Sequence, residues 1–278
     1  MIERLTFRYS LKPNLWIRFL DLAKRIVIAN IESAGIIVEK LTFLRAIIIA
    51  SAIFSTLAIW LYRDFLTLPL VCWYAVFHFV FRQGFLLLSF TPTGIAYQLK
   101  KHWGEKRGYD LYEFFTGMSF FHRSSSFVLL VQFTMWDGLQ FLKEYAGILS
   151  LVSYVFTIIG LVINTWSFLL IKRETYYYLD MYYGRFLVPF KRVGPYKWFK
   201  NPMYSIGQLP AYGIAVAVGS LPGLILTIGN QICSYLFYYL FELPHINKIL
   251  QKGKQASSVK ENSFATPKFD VLSLQQSI

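Results

Sequence analysis

The chain has 278 residues, of which 55% are hydrophobic, 19% aromatic and only 15% charged, and its formal net charge is +13. A soluble domain covers its core with many more charged side chains, so this composition excludes an ordinary soluble protein. The Lys and Arg residues lie between apolar runs and interleave with no base-stacking motif, which argues against nucleic acid and favours anionic lipid headgroups as their partner.

Six apolar runs are long enough to cross the hydrocarbon layer of a membrane, which takes about 20 helical residues. The third is interrupted by His122 and Arg123, and the turn between the first two is very short. The pattern predicts an all-α integral membrane protein with about six transmembrane helices. The runs cover residues 46–62, 65–90, 116–136, 147–171, 203–219 and 221–241.

The basic residues alternate between the segments that connect these runs. The N-terminal segment, the segments after the second and fourth runs and the C-terminal tail together hold 24 of the 28 Lys and Arg residues. The other connecting segments hold only Arg63 and Lys143. Because cytoplasmic loops carry the excess of Lys and Arg, we expect both termini to be cytoplasmic, at a bacterial inner membrane or the endoplasmic reticulum.

Four regions follow from these patterns. Residues 1–45 form a cytoplasmic segment, in which apolar and basic residues at helical spacing predict a helix lying in the membrane interface. Residues 46–145 hold the N-terminal transmembrane helices, and residues 146–250 hold a core that ends in a helical hairpin. Residues 251–278 are polar and lack apolar periodicity, so we expect a disordered cytoplasmic tail. Cys72 and Cys233 lie inside apolar runs, which indicates inert thiols and no metal site.

Two Arg residues lie inside the apolar runs and are not explained by topology. Arg82 and Arg123, with His122, indicate either side chains that reach the interface or a polar site inside the helix bundle. For Arg123, snorkelling or structural pairing is favoured, and contact with a lipid phosphate is the alternative.

Polar, aromatic, Gly and Pro residues are concentrated between residues 176 and 207. Asn201 is a good N-cap and Pro202 suits a first helical turn, so the fifth helix is predicted to begin near Asn201. The turn at residues 220–223 predicts an antiparallel hairpin that brings Asn201 and Glu242 to similar depth at the cytoplasmic face. The tyrosines of residues 176–183 are typical of an aromatic belt at a membrane interface, and ligand contact is the alternative.

Five blocks stand out in this half of the chain, namely Asn164-Thr165-Trp166, Tyr182-Tyr183-Gly184, Gly194-Pro195-Tyr196, Asn201-Pro202-Met203-Tyr204-Ser205-Ile206-Gly207 and Glu242-Leu243-Pro244-His245-Ile246. They resemble the signature of membrane methyltransferases. The likeness covers about residues 160–248 and is strongest to the phospholipid N-methyltransferase family, in particular the fungal-type phosphatidylethanolamine N-methyltransferases. The superfamily also includes isoprenylcysteine carboxyl methyltransferases. Family members usually have His where this chain has Asn201, and many have a second Glu where it has Leu243.

The resemblance implies S-adenosylmethionine as the methyl donor and phosphatidylethanolamine or its methylated derivatives as the acceptor, and hence a part in phosphatidylcholine synthesis. Glu242 and His245 are the candidate catalytic residues, because the attacking amine must lose a proton. The rings of Tyr196, Tyr204 and Tyr212 could attract a sulfonium or methylated ammonium. The residues expected to contact the cofactor are Gly194, Pro195, Tyr196, Asn201, Pro202, Tyr204, Gly207 and Glu242.

Other interpretations remain open at this stage. Asn201 and Pro202 could serve only to cap a helix, and Glu242 could be a solvated residue at a helix end. The enzyme could act on another membrane acceptor, such as a prenylcysteine carboxylate. The departures at Asn201 and Leu243 also suit a non-catalytic relative that binds lipid.

Overall fold

A computed structural model describes residues 15–37, 42–184, 193–248 and 251. Every regular element in these ranges is helical, which confirms the all-α fold class. The predicted disordered tail lies, apart from Gln251, outside the described residues. The helices are α1 (Leu15–Ser33), α2 (Phe43–Tyr62), α3 (Leu68–Ser89), α4 (Ile95–Trp103), α5 (Glu105–Phe133), α6 (Ala146–Tyr176), α7 (Leu179–Tyr183), α8 (Pro195–Trp198), α9 (Leu209–Ala217) and α10 (Leu221–Phe237).

Four helical segments in the described part of the chain are long and apolar enough to cross a membrane. They contain α2, α3, α6 and α10, and the last continues through a π-helical stretch at Tyr238–Glu242 to Lys248. These four correspond to the first, second, fourth and sixth predicted runs. The chain is therefore a membrane protein, while the count of about six spans is not confirmed.

The third and fifth predicted runs differ from the other four. The third run lies mostly in α5, a helix of 29 residues that buries polar side chains against the bundle, including Glu113, Thr116 and Ser119. The fifth run yields only the nine-residue helix α9 and a short 3₁₀ turn before it. At about 1.5 Å per residue, α9 by itself is too short to cross the hydrocarbon layer.

The predicted start of the fifth helix at Asn201 is wrong. Residues 201–205 form turns, and α9 begins at Leu209 with Pro210 as its second residue. The two hairpin arms therefore do not match in length. The turn between them lies at residues 218–220 rather than at the predicted residues 220–223, since α10 begins at Leu221 and Ser220 caps it by accepting a hydrogen bond from the Gly223 amide at 3.0 Å.

Helix α1 was predicted at the membrane interface, and its two halves differ. The N-terminal half exposes Trp16, Phe19 and Leu20 and carries an ion pair between Arg25 and Asp21, four residues apart. The C-terminal half packs against α6, and Ala29 is buried there. One end of this helix is thus part of the folded bundle.

A network of buried charges ties four helices together. Glu113 on α5 accepts a hydrogen bond from Arg45 of α2 at 2.8 Å, and its other oxygen is 3.8 Å from Arg173 of α6. Arg173 also lies 3.7 Å from Glu32 of α1. Removing one partner of a buried ion pair leaves an uncompensated charge, so these pairs fix the relative placement of the helices.

Helices α6 and α9 pack closely because both present glycine at their contact. A Cβ at Gly160 of α6 would overlap Pro210 of α9, and a Cβ at Gly213 of α9 would lie 2.8 Å from the Ser153 carbonyl oxygen. The close approach of the two backbones is possible only with these small residues.

We expect Gly160→Ala to lower the free energy of unfolding by about 1–3 kcal/mol, because the added methyl overpacks the contact with Pro210. The matched control is Gly84→Ala in α3, where a Cβ would meet nothing within 4 Å. Both changes improve intrinsic helix propensity by about 1 kcal/mol. The difference in the free energy of unfolding between the two variants therefore measures the packing at Gly160. Thermal melting of both variants in detergent measures this difference. Equal melting temperatures would contradict the tight contact between Gly160 and Pro210.

Candidate functional site

A cavity of about 480 Å³ lies within the helix bundle. Its wall is formed by the C-terminal end of α1, by parts of α3 and of α5 through α10, by the extension of α10, and by residues 199–208, here called the α8–α9 segment. This volume falls within the range of small-molecule and cofactor sites.

Most of the predicted site residues meet at this cavity, although they come from separate elements. Asn201 and Glu242 both lie on its wall. Tyr212 does not; its hydroxyl donates a hydrogen bond to Gln231 at 2.6 Å. The predicted residues on the wall are Tyr196, Asn201, Tyr204, Gly207, Glu242 and His245, and those away from it are Gly194, Pro195 and Pro202.

The three predicted residues away from the cavity shape the backbone around it. Gly194 has a φ of 57°, and a Cβ there would crowd Trp166 and Leu170 of α6. Pro195 is the first residue of α8, and the carbonyl of Pro202 accepts a hydrogen bond from the Gly207 amide at 2.8 Å. Both prolines are fully buried. These positions support the α8–α9 segment.

Asn201 caps a turn rather than a helix. Its side-chain oxygen accepts a hydrogen bond from the Tyr204 amide at 3.2 Å, and its carbonyl accepts one from the Ser205 hydroxyl at 2.9 Å. The capping chemistry predicted for Asn201 is therefore present, but the chain turns again before α9 begins. The turn places Tyr204 beside the cavity.

Side-chain amides hold the α8–α9 segment against the bundle. Asn230 of α10 accepts a hydrogen bond from Gln83 of α3 at 2.8 Å and donates one to Gln208 at 2.9 Å. The next residue, Gln231, donates to the carbonyl of Tyr204 at 3.2 Å. Gln231 thus bonds the backbone of the segment directly, while Asn230, supported by Gln83, holds its Gln208 side chain.

Two tyrosine hydroxyls connect the cavity wall to Glu242. The hydroxyls of Tyr178 and Tyr204 are 3.2 Å apart, and Tyr204 also interacts with the Glu242 carboxylate. Burial raises the pKa of both phenols, so both stay protonated and can donate hydrogen bonds. One Glu242 oxygen, Oε2, has no hydrogen-bond partner among the described residues. This oxygen is buried and is able to accept a hydrogen bond from a ligand.

The tyrosines of residues 176–183 do not form an interfacial belt. Tyr177 and Tyr182 are almost fully buried, while Tyr176 and Tyr178 line the cavity. Tyr178 has a positive φ of 59°, a conformation that costs about 1–2 kcal/mol for a residue other than glycine. The turn between α6 and α7 thus folds these rings into the protein instead of presenting them to lipid.

His245 lies on the same wall as Glu242, on the helical extension of α10. The carboxylate of Asp180 is close enough to attract a charged His245 ring. Asp180 in turn accepts a hydrogen bond from Thr175 at 2.9 Å. The two predicted catalytic side chains are therefore brought together, with a second carboxylate nearby that the sequence did not point out.

The Asn164-Thr165-Trp166 block serves three separate contacts. Asn164 lines the cavity next to Gly207. The Thr165 hydroxyl donates a hydrogen bond to Asn30 of α1 at 3.1 Å. The Trp166 ring packs against Trp198 of α8 at 6.2 Å between centroids. One turn of α6 therefore connects α1, α8 and the cavity.

Several residues of the cavity wall were not assigned to a site from the sequence. Arg82 and Arg123 line the cavity, so they belong to a polar site inside the bundle rather than reaching the interface. Gln208 and Asn230 were not singled out at all. A polar residue inside an apolar run was the available signal, but it does not reveal which helix face it occupies. Three or more His, Cys, Asp or Glu residues suited to a metal ion do not cluster anywhere in the described ranges.

Comparison with known protein families finds a match in the second half of the chain. Residues 148–253 match the family described as phospholipid methyltransferase. The resemblance drawn from the sequence is thereby confirmed. Residues 148–253, here called the phospholipid methyltransferase region, are thus similar to this family.

Three curated relatives carry the name phosphatidylethanolamine N-methyltransferase. The protein from Malassezia globosa is 28% identical over 117 residues, which are 41% of this chain and 12% of the relative. The Lachancea thermotolerans protein is 28% identical over 46% of this chain and 16% of its own length. The Clavispora lusitaniae protein is 34% identical over 24% of this chain and 8% of its own length. The chain thus spans less than a fifth of each relative, and no solved structure matches it.

The family match divides the cavity wall in two. The phospholipid methyltransferase region supplies α6, the α8–α9 segment and the α10 extension, including Tyr204 and Glu242. The parts of α1, α3 and α5 on the wall lie before residue 148 and outside the match. The site is therefore completed by helices that the family comparison does not cover.

We expect Asn230→Ala to increase amide hydrogen exchange in the α8–α9 segment by roughly tenfold or more, because it removes two buried hydrogen bonds of about 1 kcal/mol each. Mass spectrometry of exchanged peptides covering residues 201–208 measures the change. The control is Cys233→Ala on the same helix, which removes a similar volume but no hydrogen bond in the described network. Equal exchange in both variants would show that the amides do not hold the segment.

Proposed function

We propose that this protein transfers methyl groups from S-adenosylmethionine to the amine headgroup of phosphatidylethanolamine or its methylated derivatives, and so takes part in phosphatidylcholine synthesis. The observation that carries the proposal is the open oxygen of Glu242 in a cavity bounded by the phospholipid methyltransferase region. The relatives' shared name supports the same acceptor.

The cavity suits a cofactor with both polar and apolar parts. Its wall combines Phe120, Leu161 and Ile171 with the polar side chains of Asn164 and Glu242. A buried carboxylate oxygen without a partner suits a hydroxyl or ammonium donor, and S-adenosylmethionine carries both. We propose that Tyr196, Asn201, Tyr204, Gly207 and Glu242 contact it. When bound, the cofactor supplies an electrophilic methyl group on sulfur.

The protein's own groups would prepare the amine. An alkylamine is protonated at neutral pH, so a nearby base has to take its proton before the nitrogen can attack. We propose Glu242 and His245 for this role, since both lie on the wall where the α10 extension ends. The Tyr204 hydroxyl donates to Glu242 and keeps the carboxylate in place, while the surrounding helices hold the amine and exclude water.

The proposed orientation puts the cavity at the cytoplasmic side, with both termini and the basic segments on the same side. The distribution of Lys and Arg supports it. The soluble methyl donor would then enter from the cytoplasm and the lipid from the bilayer, at a bacterial inner membrane or the endoplasmic reticulum.

Glu242→Gln should weaken binding of S-adenosylmethionine by about ten- to hundredfold, because charge-assisted hydrogen bonds contribute roughly 1.5–3 kcal/mol and the amide cannot replace them. Isothermal titration calorimetry on the purified protein in lipid nanodiscs measures the affinity. Glu144→Gln is the control, since it makes the same chemical change at an exposed position before α6. Wild-type affinity in Glu242→Gln would remove Glu242 from the cofactor site.

Proteoliposomes containing phosphatidylethanolamine and methyl-labelled S-adenosylmethionine test the reaction itself. We expect label in mono-, di- or trimethylated headgroups. Label in a prenylcysteine peptide added to the same vesicles, but not in phospholipid, would point to the other acceptor. Cofactor binding with no transfer to either acceptor would favour a non-catalytic relative and overturn the proposal.

A further inference from the structure

Two arginines on the cavity wall have no carboxylate partner among the described residues. Arg82 comes from α3 and Arg123 from α5, and both lie on the cavity wall. Arg82 is only 8% exposed, and its guanidinium lies 4.3 Å above the centre of the Phe120 ring. Nε and Nη1 of Arg82 and Nε of Arg123 are buried and have no hydrogen-bond partner among the described residues.

Two other buried arginines in the described ranges do have a carboxylate partner. Arg45 and Arg173 each lie within 4 Å of a buried carboxylate, that of Glu113. Within the described ranges, neither Arg82 nor Arg123 has an acidic side chain at ion-pair distance. Their two positive charges are also close enough to repel each other. A buried pair of like charges is costly unless an anion lies between or beside them.

The arrangement of polar groups separates the two signs of charge within the cavity. Arg82 interacts with the Tyr178 hydroxyl, the Tyr204 hydroxyl interacts with Glu242, and the two hydroxyls are neighbours. The cationic Arg82 and the acidic Glu242 are therefore joined through this hydroxyl pair, one at each end of the chain of contacts. A ligand with one anionic and one cationic group would satisfy both ends.

We propose that Arg82 and Arg123 form a subsite for the oxyanion of a zwitterionic ligand, and that this oxyanion is the phosphodiester of the phospholipid acceptor. The second clause rests on the proposed function. The guanidinium fork matches phosphate oxygens in two parallel hydrogen bonds, which a lysine cannot do. The carboxylate of S-adenosylmethionine has the same chemistry, so the experiment has to separate the two sources.

The location of the two arginines favours the lipid. Both precede residue 148 and lie outside the phospholipid methyltransferase region, which holds the residues proposed for the cofactor. A phosphodiester held by α3 and α5 would direct the attached amine towards Glu242. The N-terminal half of the chain would thus select for a phosphate-bearing lipid.

The test measures binding without turnover. Dioctanoyl-phosphatidylethanolamine and dioctanoylglycerol, which lacks the phosphate, are titrated into the purified full chain in detergent, in the absence of cofactor. We expect Arg82→Gln and Arg123→Gln each to lose at least about tenfold in affinity for the phospholipid, with no change for dioctanoylglycerol. Arg82→Lys keeps the charge but not the fork, and should fall between the wild type and Arg82→Gln. The control is Arg63→Gln, whose native side chain is 74% exposed.

A second titration with S-adenosylmethionine identifies the source of the oxyanion. Unchanged cofactor affinity in both Gln variants supports the phosphodiester. Lost cofactor affinity with unchanged phospholipid affinity would assign the subsite to the carboxylate and overturn the lipid proposal. Unchanged affinity for both ligands would overturn the subsite altogether.

The stability of the unliganded variants separates a binding role from a structural one. Removing an uncompensated buried charge should leave the melting temperature of Arg82→Gln unchanged or raise it, whereas a structural cation would lower it. A strong loss of stability without ligand would therefore contradict the proposal. Phospholipid binding through Arg82 in a protein that transfers no methyl group would overturn the proposed function and leave the subsite standing.

Discussion

A non-helical stretch of backbone inside a membrane helix bundle needs a protein partner for each of its polar groups, because lipid offers none. The α8–α9 segment meets this condition partly within itself, where the Pro202 carbonyl accepts a hydrogen bond from the Gly207 amide, and partly through Gln231 of α10, which donates to the Tyr204 carbonyl. Asn230 of α10 holds the Gln208 side chain. The cavity depends on this arrangement, since the segment forms one of its walls. The polar residues of α10 are therefore best understood as the support of an irregular wall, not as interruptions of a transmembrane helix.

The same constraint explains where prediction from the sequence succeeded and where it failed. The long apolar runs of α2, α3, α6 and α10 are specified locally, so hydropathy alone locates them. The start of the fifth helix is not specified locally. Asn201 does cap a turn, but the backbone after it is stabilised by Gln208 contacts to α10, and α9 begins only at Leu209. Tertiary hydrogen bonds here outweigh the local signal of an N-cap followed by proline.

The candidate site, like the helices, was predictable from the sequence only in part. Motif resemblance selected Asn201, Tyr204 and Glu242, which the fold brings to one cavity. It also selected Gly194 and Pro202, which serve the backbone, because a motif does not separate residues that touch a ligand from residues that shape the chain. Arg82 and Arg123 were visible as charges inside apolar runs. The sequence did not show that both side chains reach the same cavity, because this depends on how α3 and α5 are rotated about their axes.

The energetic contrast among the buried arginines links the fold to the site. Arg45 and Arg173 are paired with the carboxylates of Glu113 and Glu32, and this network fixes α1, α2, α5 and α6 relative to one another. Because α5 is held in this way, Arg123 is directed to the cavity without a carboxylate of its own among the described residues. Helix α5 can therefore serve both stability and binding. The ion-paired Glu113 sets the position of the helix, and this position makes binding through Arg123 selective.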